Sequence, residues 1–173
     1  MLKVNKNGAL EAPLFSEGSA GRFKIKVQGT GLNNSGPRQL YVNGVAKYDA
    51  TGGRGLRLTV LDYNMAVTFD LTYDLYGDDA ARTSLATKLN EVMATPNVLF
   101  VLTSWDAIGT NAALTTAMTN ARSTEFIRYV TSACWRFPYA AFGSSKHGIV
   151  KEVCYPADAK YPFAIIETSF ESI

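Results

Sequence analysis

Aspartate pairs are the residues of this chain whose types and spacing could support acid–base chemistry. Asp78 and Asp79 are adjacent, and Asp70 lies four residues before Asp74. Two carboxylates that face each other across a cleft can hydrolyse a glycosidic bond, one as general acid and the other as base or nucleophile. Asp78 and Asp79, however, stand where a helix is predicted to begin, and capping together with the helix dipole explains them without catalysis.

Other motifs of enzyme active sites are missing from the sequence. The patterns G-x-x-x-x-G-K-[ST], G-x-G-x-x-G, H-E-x-x-H and G-x-S-x-G do not occur. The single histidine, His147, limits triad and acid–base schemes. Gly52-Gly53-Arg54-Gly55 resembles a phosphate loop only in composition, because it leads into a predicted strand and not into a helix N-terminus. We therefore predict a protein with no enzymatic activity, no cofactor and no bound metal.

Composition favours one domain that uses part of its surface for contacts. The chain has 173 residues, of which 47% are hydrophobic and 18% are charged. Soluble proteins average about 25% charged residues. The deficit fits a surface buried against partners, or equally a polar surface rich in Thr, Asn and Ser. The net charge of +2 is too small to indicate nucleic acid, and Arg22, Lys24 and Lys26 are interpreted as one solvated strand face.

The two ends of the chain are predicted to differ from its middle. Residues 1–20 are weakly patterned and form a predicted arm, residues 21–154 a domain, and residues 155–173 a C-terminal strand or tail. The arm lacks the apolar core of a signal peptide, and the chain has no apolar run long enough to span a membrane. We expect a protein made in the cytoplasm that stays there or leaves inside a particle. Cys134 and Cys154 are expected to be buried thiols, and their pairing is left open.

Periodicity predicts several strands interrupted by helices. Strands are predicted at 23–27, 39–45 with a tight turn at Asn43-Gly44, 56–61, 66–71, 98–102, 139–142, 149–154 and 163–168. The run at 98–102 is apolar throughout, which is typical of a central strand buried on both faces. Helices are predicted from an Asp78 cap to about 94, from 111 to 122, and from an Ser123 cap to about 133. This order predicts an α+β fold, with mixed or antiparallel sheets and about three helices packed outside.

Four segments, taken in order, resemble one known family. They are Gly53-Arg54-Gly55-Leu56 before the strand at 58–62, Tyr73-Asp74-Leu75-Tyr76-Gly77 before the first helix, Trp105-Asp106 after the central strand, and the run from Trp135 to Gly143. Together they resemble the interleukin-like EMT inducer (ILEI/FAM3/PANDER-type) domain over residues 22–153. The resemblance implies a compact β-β-α fold with structural roles for a set of motif positions: Gly53, Arg54, Gly55, Asp74, Gly77 and Gly143.

The same resemblance implies a candidate ligand site. In the sugar-binding stem domains of the family, an acid of the loop after the central strand and an arginine of the last motif contact a glycan. Asp106 and Arg136 match those positions, and Trp105 could add an apolar ring face. Ala107 and Phe137 replace two further acids of the family pattern. An internal salt bridge between Asp106 and Arg136, or a loop cap by Asp106, also explains the pair, so both interpretations stay open.

The family includes secreted cytokine-like proteins, sugar-binding domains and domains of bacteriophage tail proteins. Without a signal peptide, this chain fits the last group best. We predict a non-enzymatic virion structural protein, a tail fibre or baseplate component, that binds neighbouring subunits or itself through residues 1–20 and 155–173. The alternatives are a glycan-binding module that recognises host surface sugars and, second, a secreted cytokine-like signalling domain.

Overall fold

Two antiparallel sheets packed face to face form the body of the protein in the computed structural model, which describes residues 3–4, 10–11, 21–31, 36–133, 135–156 and 161–172. The strands are β1 (Lys3–Val4), β2 (Leu10–Glu11), β3 (Gly21–Thr30), β4 (Arg38–Val42), β5 (Val45–Ala50), β6 (Gly55–Leu61), β7 (Val67–Tyr73), β8 (Leu99–Trp105), β9 (Tyr139–Ser144), β10 (Gly148–Cys154) and β11 (Phe163–Ser172). The helices are α1 (Asp79–Ala94), α2 (Ala112–Asn120) and α3 (Glu125–Tyr129).

The strand order corrects the predicted fold class. One sheet runs β10-β9-β8-β6-β7, the other runs β11-β3-β4-β5, and every described strand pair is antiparallel. In the described part of the chain, strand residues outnumber helical residues by more than two to one. The prediction of an α+β fold with mixed sheets and helices packed outside is therefore wrong, and the fold is β-rich. Antiparallel neighbours can be joined by tight turns, so this sheet pair needs no crossover helices of the kind that parallel strands require.

Strand β8 lies between two apolar cores. Phe100 and Leu102 join a core shared with the helices, while Leu99 and Val101 join the core between the two sheets. All four side chains are fully buried. The alternation follows from strand geometry, in which successive side chains point to opposite faces. The prediction of a central strand buried on both faces is confirmed.

Helices α1 and α2 begin at side-chain caps. The Asp78 carboxylate accepts hydrogen bonds from the backbone N–H groups of Ala80 and Ala81 at 2.9 and 3.0 Å. The Asn111 side chain accepts one from Leu114 N at 2.9 Å. Such caps satisfy N–H groups that have no partner in the first turn. The predicted cap at Asp78 is confirmed, which explains this residue without catalysis.

Helix α3 is capped from a distant strand, so the predicted Ser123 cap is wrong. Helix α3 spans only Glu125–Tyr129, and its N-cap residue Thr124 makes no side-chain capping bond. The Glu152 carboxylate of β10 replaces it, accepting from the backbone N–H groups of Thr124 and Glu125. The same carboxylate accepts from the hydroxyls of Ser123, Thr124 and Tyr139. Glu152 thereby ties α3 to β9 and β10.

A buried arginine closes the loop that follows β5. Arg38 is 2% exposed, and its Nη2 donates to the carbonyls of Gly52 and Gly53. Burial lowers the pKa of Arg38 to about 10, which still leaves the guanidinium charged at neutral pH. The loop that resembles a phosphate loop in composition therefore points carbonyls at a cation of the protein itself. A phosphate loop instead points N–H groups at an anion.

The C-terminal segment is part of the second sheet. Strand β11 pairs with β3 over ten residues, from Phe163 opposite Thr30 to Ser172 opposite Gly21. The Cys154 thiol is buried, and burial raises its pKa. Cys134 and most of the predicted arm at 1–20 lie outside the described residues. Within the described ranges, no helix combines the length and apolar character of a membrane-spanning segment.

We expect Glu152→Ala to lower the free energy of unfolding by about 2–4 kcal/mol, because it strands two backbone N–H groups and the hydroxyl of buried Tyr139. Urea unfolding followed by circular dichroism measures the change. The matched control is Glu91→Ala, which removes only an exposed contact with Lys88 and should cost no more than about 0.5 kcal/mol. Equal losses in the two variants would contradict the capping role.

Candidate functional site

Four charged side chains meet at one end of the five-stranded sheet, and we name them the arginine–aspartate rim: Arg54, Asp74, Asp106 and Arg136. Arg54 immediately precedes β6, Asp74 follows β7 and Asp106 follows β8. Because these strands are antiparallel neighbours, the start of β6 and the ends of β7 and β8 lie at the same end of the sheet. Arg136 comes from the segment between α3 and β9.

Arg54 and Asp74 form a two-pronged ion pair. Arg54 Nε donates to Asp74 Oδ1 at 2.9 Å, and Nη2 donates to Oδ2 at 2.7 Å. The guanidinium carbon also lies 4.6 Å from the centroid of the Tyr76 ring. The hydrogen bonds from Arg54 lower the pKa of Asp74. Both residues were predicted only as structural positions of the motif, yet the structure places them on the same rim as the candidate ligand residues.

Asp106 and Arg136 are brought together by a short backbone bridge. Ile108 N donates to Trp135 O at 2.9 Å, and Trp135 N donates to Ile108 O at 3.1 Å. Arg136 Nε then lies 2.9 Å from Asp106 Oδ1. Oδ1 nevertheless accepts no well-aligned hydrogen bond from the described residues, so the contact is an ion pair with poor N–H direction. The structure thus contains the internal salt bridge that was one of the two interpretations, and the ligand site stays a prediction.

Burial differs within the Asp106–Arg136 pair. The Asp106 side chain is 16% exposed, whereas that of Arg136 is 49% exposed. The aspartate is therefore fixed in the protein, while the arginine has room to turn towards a ligand. If Arg136 turned away from Asp106, the Asp106 carboxylate would be free to accept hydrogen bonds from hydroxyl groups.

The two ion pairs of the rim also influence each other. The hydrogen-bonded Asp74 carboxylate raises the pKa of Arg54, and Asp106 adds a smaller effect in the same direction. Two guanidinium groups and two carboxylates thus form one nearly neutral patch. Fixed donors and acceptors of this kind suit the recognition of polar ligands.

The loop that carries Asp106 is held by a buried hydroxyl. Ser104 Oγ donates to Thr30 O at 3.0 Å and accepts from Tyr139 N at 2.8 Å. This serine, near the end of β8, joins β3 of one sheet to β9 of the other. Asp106 follows two residues later with a φ of 63°, a left-handed conformation that directs its side chain away from the strand path.

Two exposed aromatic rings flank the rim, and neither is the ring of Trp105 that was predicted from the sequence. Trp105 is only partly exposed, and its buried Nε1 has no hydrogen-bond partner among the described residues. Trp135 and Tyr76 are 58% and 51% exposed. Trp135 directly precedes Arg136, and Tyr76 stacks on Arg54. Their place beside charged residues of the motifs was the signal that could have identified them.

The motif glycine at the base of the rim is required by a close backbone approach. Gly55 has a φ of 111°, and a Cβ there would lie 1.9 Å from the carbonyl oxygen of Tyr73. Only glycine fits this position without a shift of the paired strand. Gly55 therefore sets the separation of β6 and β7 from which Arg54 and Asp74 meet.

The other motif glycines lie in different surroundings. A Cβ at Gly53 would meet Arg38 Nη2 at 2.5 Å, and one at Gly143 would meet Gly148 O at 2.5 Å. Gly77 has a φ of 70° with no atom within 4 Å of its Cβ position. Close packing thus requires glycine at Gly143, backbone conformation requires it at Gly77, and both apply at Gly53, whose φ is 71°.

Two shallow grooves lie elsewhere on the surface. One of about 580 Å³ crosses the outer face of the β11-β3-β4-β5 sheet, and one of about 560 Å³ lies beside α3 and β10. Among the described residues, no three His, Cys, Asp or Glu side chains are placed to share a metal ion. The rim itself consists of two arginine–aspartate ion pairs.

We expect Arg54→Gln to raise the pKa of Asp74 towards the ordinary value of an aspartate, because the hydrogen bonds from Arg54 hold it low. Because the folded-state pKa is depressed, the pair stabilises the protein above the unfolded-state pKa, and this stabilisation is lost as pH falls through the folded-state pKa. An NMR titration of the Asp74 carboxyl carbon measures the shift. Arg57→Gln, which instead removes the partner of Asp70, is the control. An Asp74 pKa that is unchanged in Arg54→Gln would rule out this pairing in solution.

In comparisons with models of known protein families and with curated proteins, the chain matches none. The assignment to an ILEI/FAM3/PANDER-type domain therefore stays a prediction.

Proposed function

We propose that this chain is a non-enzymatic structural protein of a virion, a bacteriophage tail component made in the host cytoplasm that binds neighbouring subunits. The observation that supports the proposal most is the β7 edge of the five-stranded sheet, which no other described strand covers. Among the described strands, β7 pairs with β6 alone. The outer backbone groups of such an edge strand are available to a strand of another chain.

Apolar side chains accompany this free backbone. Val67 and Leu71 are 42% and 48% exposed, and Phe69 is only partly covered. Exposed apolar groups on an edge strand favour burial against a partner, since each buried side chain of this size contributes about 1.5–3 kcal/mol. The charge of Asp70 does not prevent β7 from pairing with a strand of another chain, because Arg57 and Thr59 donate hydrogen bonds to its carboxylate.

The composition supports the same proposal. Only 18% of the residues are charged, and the described carboxylates Asp70, Asp74 and Asp106 are each engaged with an arginine. Surfaces of permanent assemblies are more apolar than those of transient complexes. A structural protein that stays in a particle fits this surface better than a freely diffusing monomer.

We expect a tagged copy of the chain, supplied during phage growth, to be incorporated into purified virions, and Leu71→Lys to reduce this incorporation at least about tenfold by placing a charge at the free edge. Quantitative mass spectrometry of the particles measures both. The matched control, Ile127→Lys, replaces another exposed apolar residue, 39% exposed on α3, and should be incorporated normally. Absence of the wild-type tagged chain from virions would overturn the function, and normal incorporation of Leu71→Lys would overturn the role of β7.

A glycan-binding function at the rim is the second candidate, because exposed rings accompany the charged pairs. Trp135 and Tyr76 offer apolar faces for a sugar ring, and Arg136 is half-exposed beside Asp106. Carbohydrate sites commonly combine an aromatic face with a few fixed polar groups. Such a module would recognise sugars on the host surface.

We expect Arg136→Ala to abolish binding on a glycan array while leaving the thermal unfolding midpoint nearly unchanged, because the side chain is half-exposed. Arg128→Ala, an exposed arginine of α3, is the control with the same loss of charge. An array on which the wild-type protein binds no glycan would exclude this second function.

A further inference from the structure

Two buried arginines of this protein differ in how their donors are satisfied. Arg82 is 7% exposed, and all three of its guanidinium nitrogens donate: Nε and Nη2 to Leu75 O at 3.0 Å each, and Nη1 to Asp79 Oδ1 at 3.1 Å. Arg38 is 2% exposed, and its Nη2 donates to two loop carbonyls. Its Nε and Nη1 are buried and have no hydrogen-bond partner among the described residues. Buried donors without a partner are rare, because each costs the free energy of removing it from water.

The Arg38 side chain lies between the two sheets. Leu40 and Val42 of β4 belong to the core between the sheets, and the alternation of side chains along the strand places Arg38 on the same face. Beside it, the hydroxyl of Tyr48 in β5 lies 2.7 Å from Thr103 Oγ1 of the facing sheet, and Tyr48 interacts electrostatically with Arg38. The end of this core at which Arg38 lies is therefore polar.

The charges around Arg38 do not balance. Arg57 and Asp70 interact electrostatically with Arg38, so the group contains two cations and one anion. The Asp70 carboxylate is already engaged, because Arg57 donates to both of its oxygens and Thr59 Oγ1 donates to Oδ1 at 2.8 Å. Tyr48 is neutral, since burial raises its pKa to about 12. Arg38 makes no salt bridge with a described acidic residue, so one positive charge is in excess beside its unpaired donors.

A small monovalent anion satisfies both the donors and the charge of Arg38. Water accepts hydrogen bonds but leaves the excess charge uncompensated, and such a charge is costly in an interior of low dielectric. Burial already lowers the pKa of Arg38 to about 10 for the same reason. Because Nε and Nη1 are closed off from solvent, the position excludes bulky anions, and an excess of one charge favours a monovalent ion.

The glycine loop after β5 gives such an ion a route from solvent. Arg38 Nη2 holds this loop through the carbonyls of Gly52 and Gly53. Gly53 and the flanking Thr51 and Arg54 are exposed, so the loop lies between the guanidinium and the surface. Opening of one surface loop requires far less free energy than unfolding of the domain. An ion can therefore enter and leave while the two sheets stay packed.

We propose that Arg38 binds a halide-sized monovalent anion, such as chloride, between the two sheets, with Nε and Nη1 as the donors. The ion compensates the excess positive charge of Arg38 and Arg57. It thereby stabilises the packing of β4 and β5 against the facing sheet. The site lies inside the domain, so it does not depend on the proposed role in a virion or on a glycan at the rim.

The test compares thermal unfolding of the full chain in sodium bromide and in sodium gluconate at equal ionic strength, which gives equal screening of surface charges. Gluconate is too bulky for the closed position beside Arg38. At a bromide concentration about ten times its dissociation constant, we expect the unfolding midpoint to lie about 3–6 °C higher than in gluconate. Crystals grown in bromide should show an anomalous scattering peak within hydrogen-bond distance of Arg38 Nε or Nη1.

Two variants and one control assign the bromide effect to this position. Arg38→Lys keeps the charge but has a single nitrogen for the loop carbonyls, so it should weaken bromide binding at least about tenfold. Asp70→Asn raises the excess charge from one to two and should tighten binding, a gain that a folding defect cannot imitate. The matched control, Arg82→Lys, changes a buried arginine whose nitrogens already have protein partners and should keep the wild-type bromide response.

Three results would overturn the proposal. The first is an equal unfolding midpoint of the wild-type protein in bromide and in gluconate. The second is a water molecule, with no bromide peak, beside Nε and Nη1 of Arg38 in the crystals, since that result assigns the donors to water alone. The third is a bromide response of Arg38→Lys equal to that of Arg82→Lys, because the ion would then bind elsewhere.

Discussion

Burial of β8 on both faces is the constraint on which the rest of the structure depends. Four consecutive side chains of this strand have no exposed surface: Leu99, Phe100, Val101 and Leu102. Burial of each contributes about 1.5–3 kcal/mol to the stability of the fold, compared with leaving the side chain in water. One face of this strand must therefore be covered by the helices and the other by a second sheet. The same requirement places β8 in the middle of its sheet, so its C-terminal end carries Asp106 to the centre of the rim.

Local features of the fold could be predicted from the sequence, and its long-range pairings could not. The continuous apolar run of β8 and the aspartate cap of α1 each follow from neighbouring residues. The pairing of β11 with β3 joins segments more than a hundred residues apart, and no local pattern indicates which strand lies beside which. The same reason explains the wrong cap for α3, since Ser123 is near in sequence but the capping carboxylate, Glu152, comes from β10. The α+β prediction failed because it counted elements without knowing how they pair.

The candidate site was predictable where a motif carried it. A contact between Asp106 and Arg136 was among the interpretations left open by the motifs, whereas the exposure of Trp135 depends on how the loops pack. Arg54 and Asp74 were interpreted only as structural residues. Their place beside Asp106 and Arg136 depends on which strands are antiparallel neighbours, and no local motif indicates this. The rim adjoins the β7 edge, because Asp74 directly follows β7.

Native-state hydrogen exchange tests the central role of β8 most directly. If both faces of this strand are buried in the two cores, its amide protons at 99–102 exchange only by global unfolding, with a free energy equal to that from denaturant titration. The amides on the free side of β7 exchange much faster through local opening. Exchange of the β8 amides through local opening, at rates like those of β7, would contradict the account.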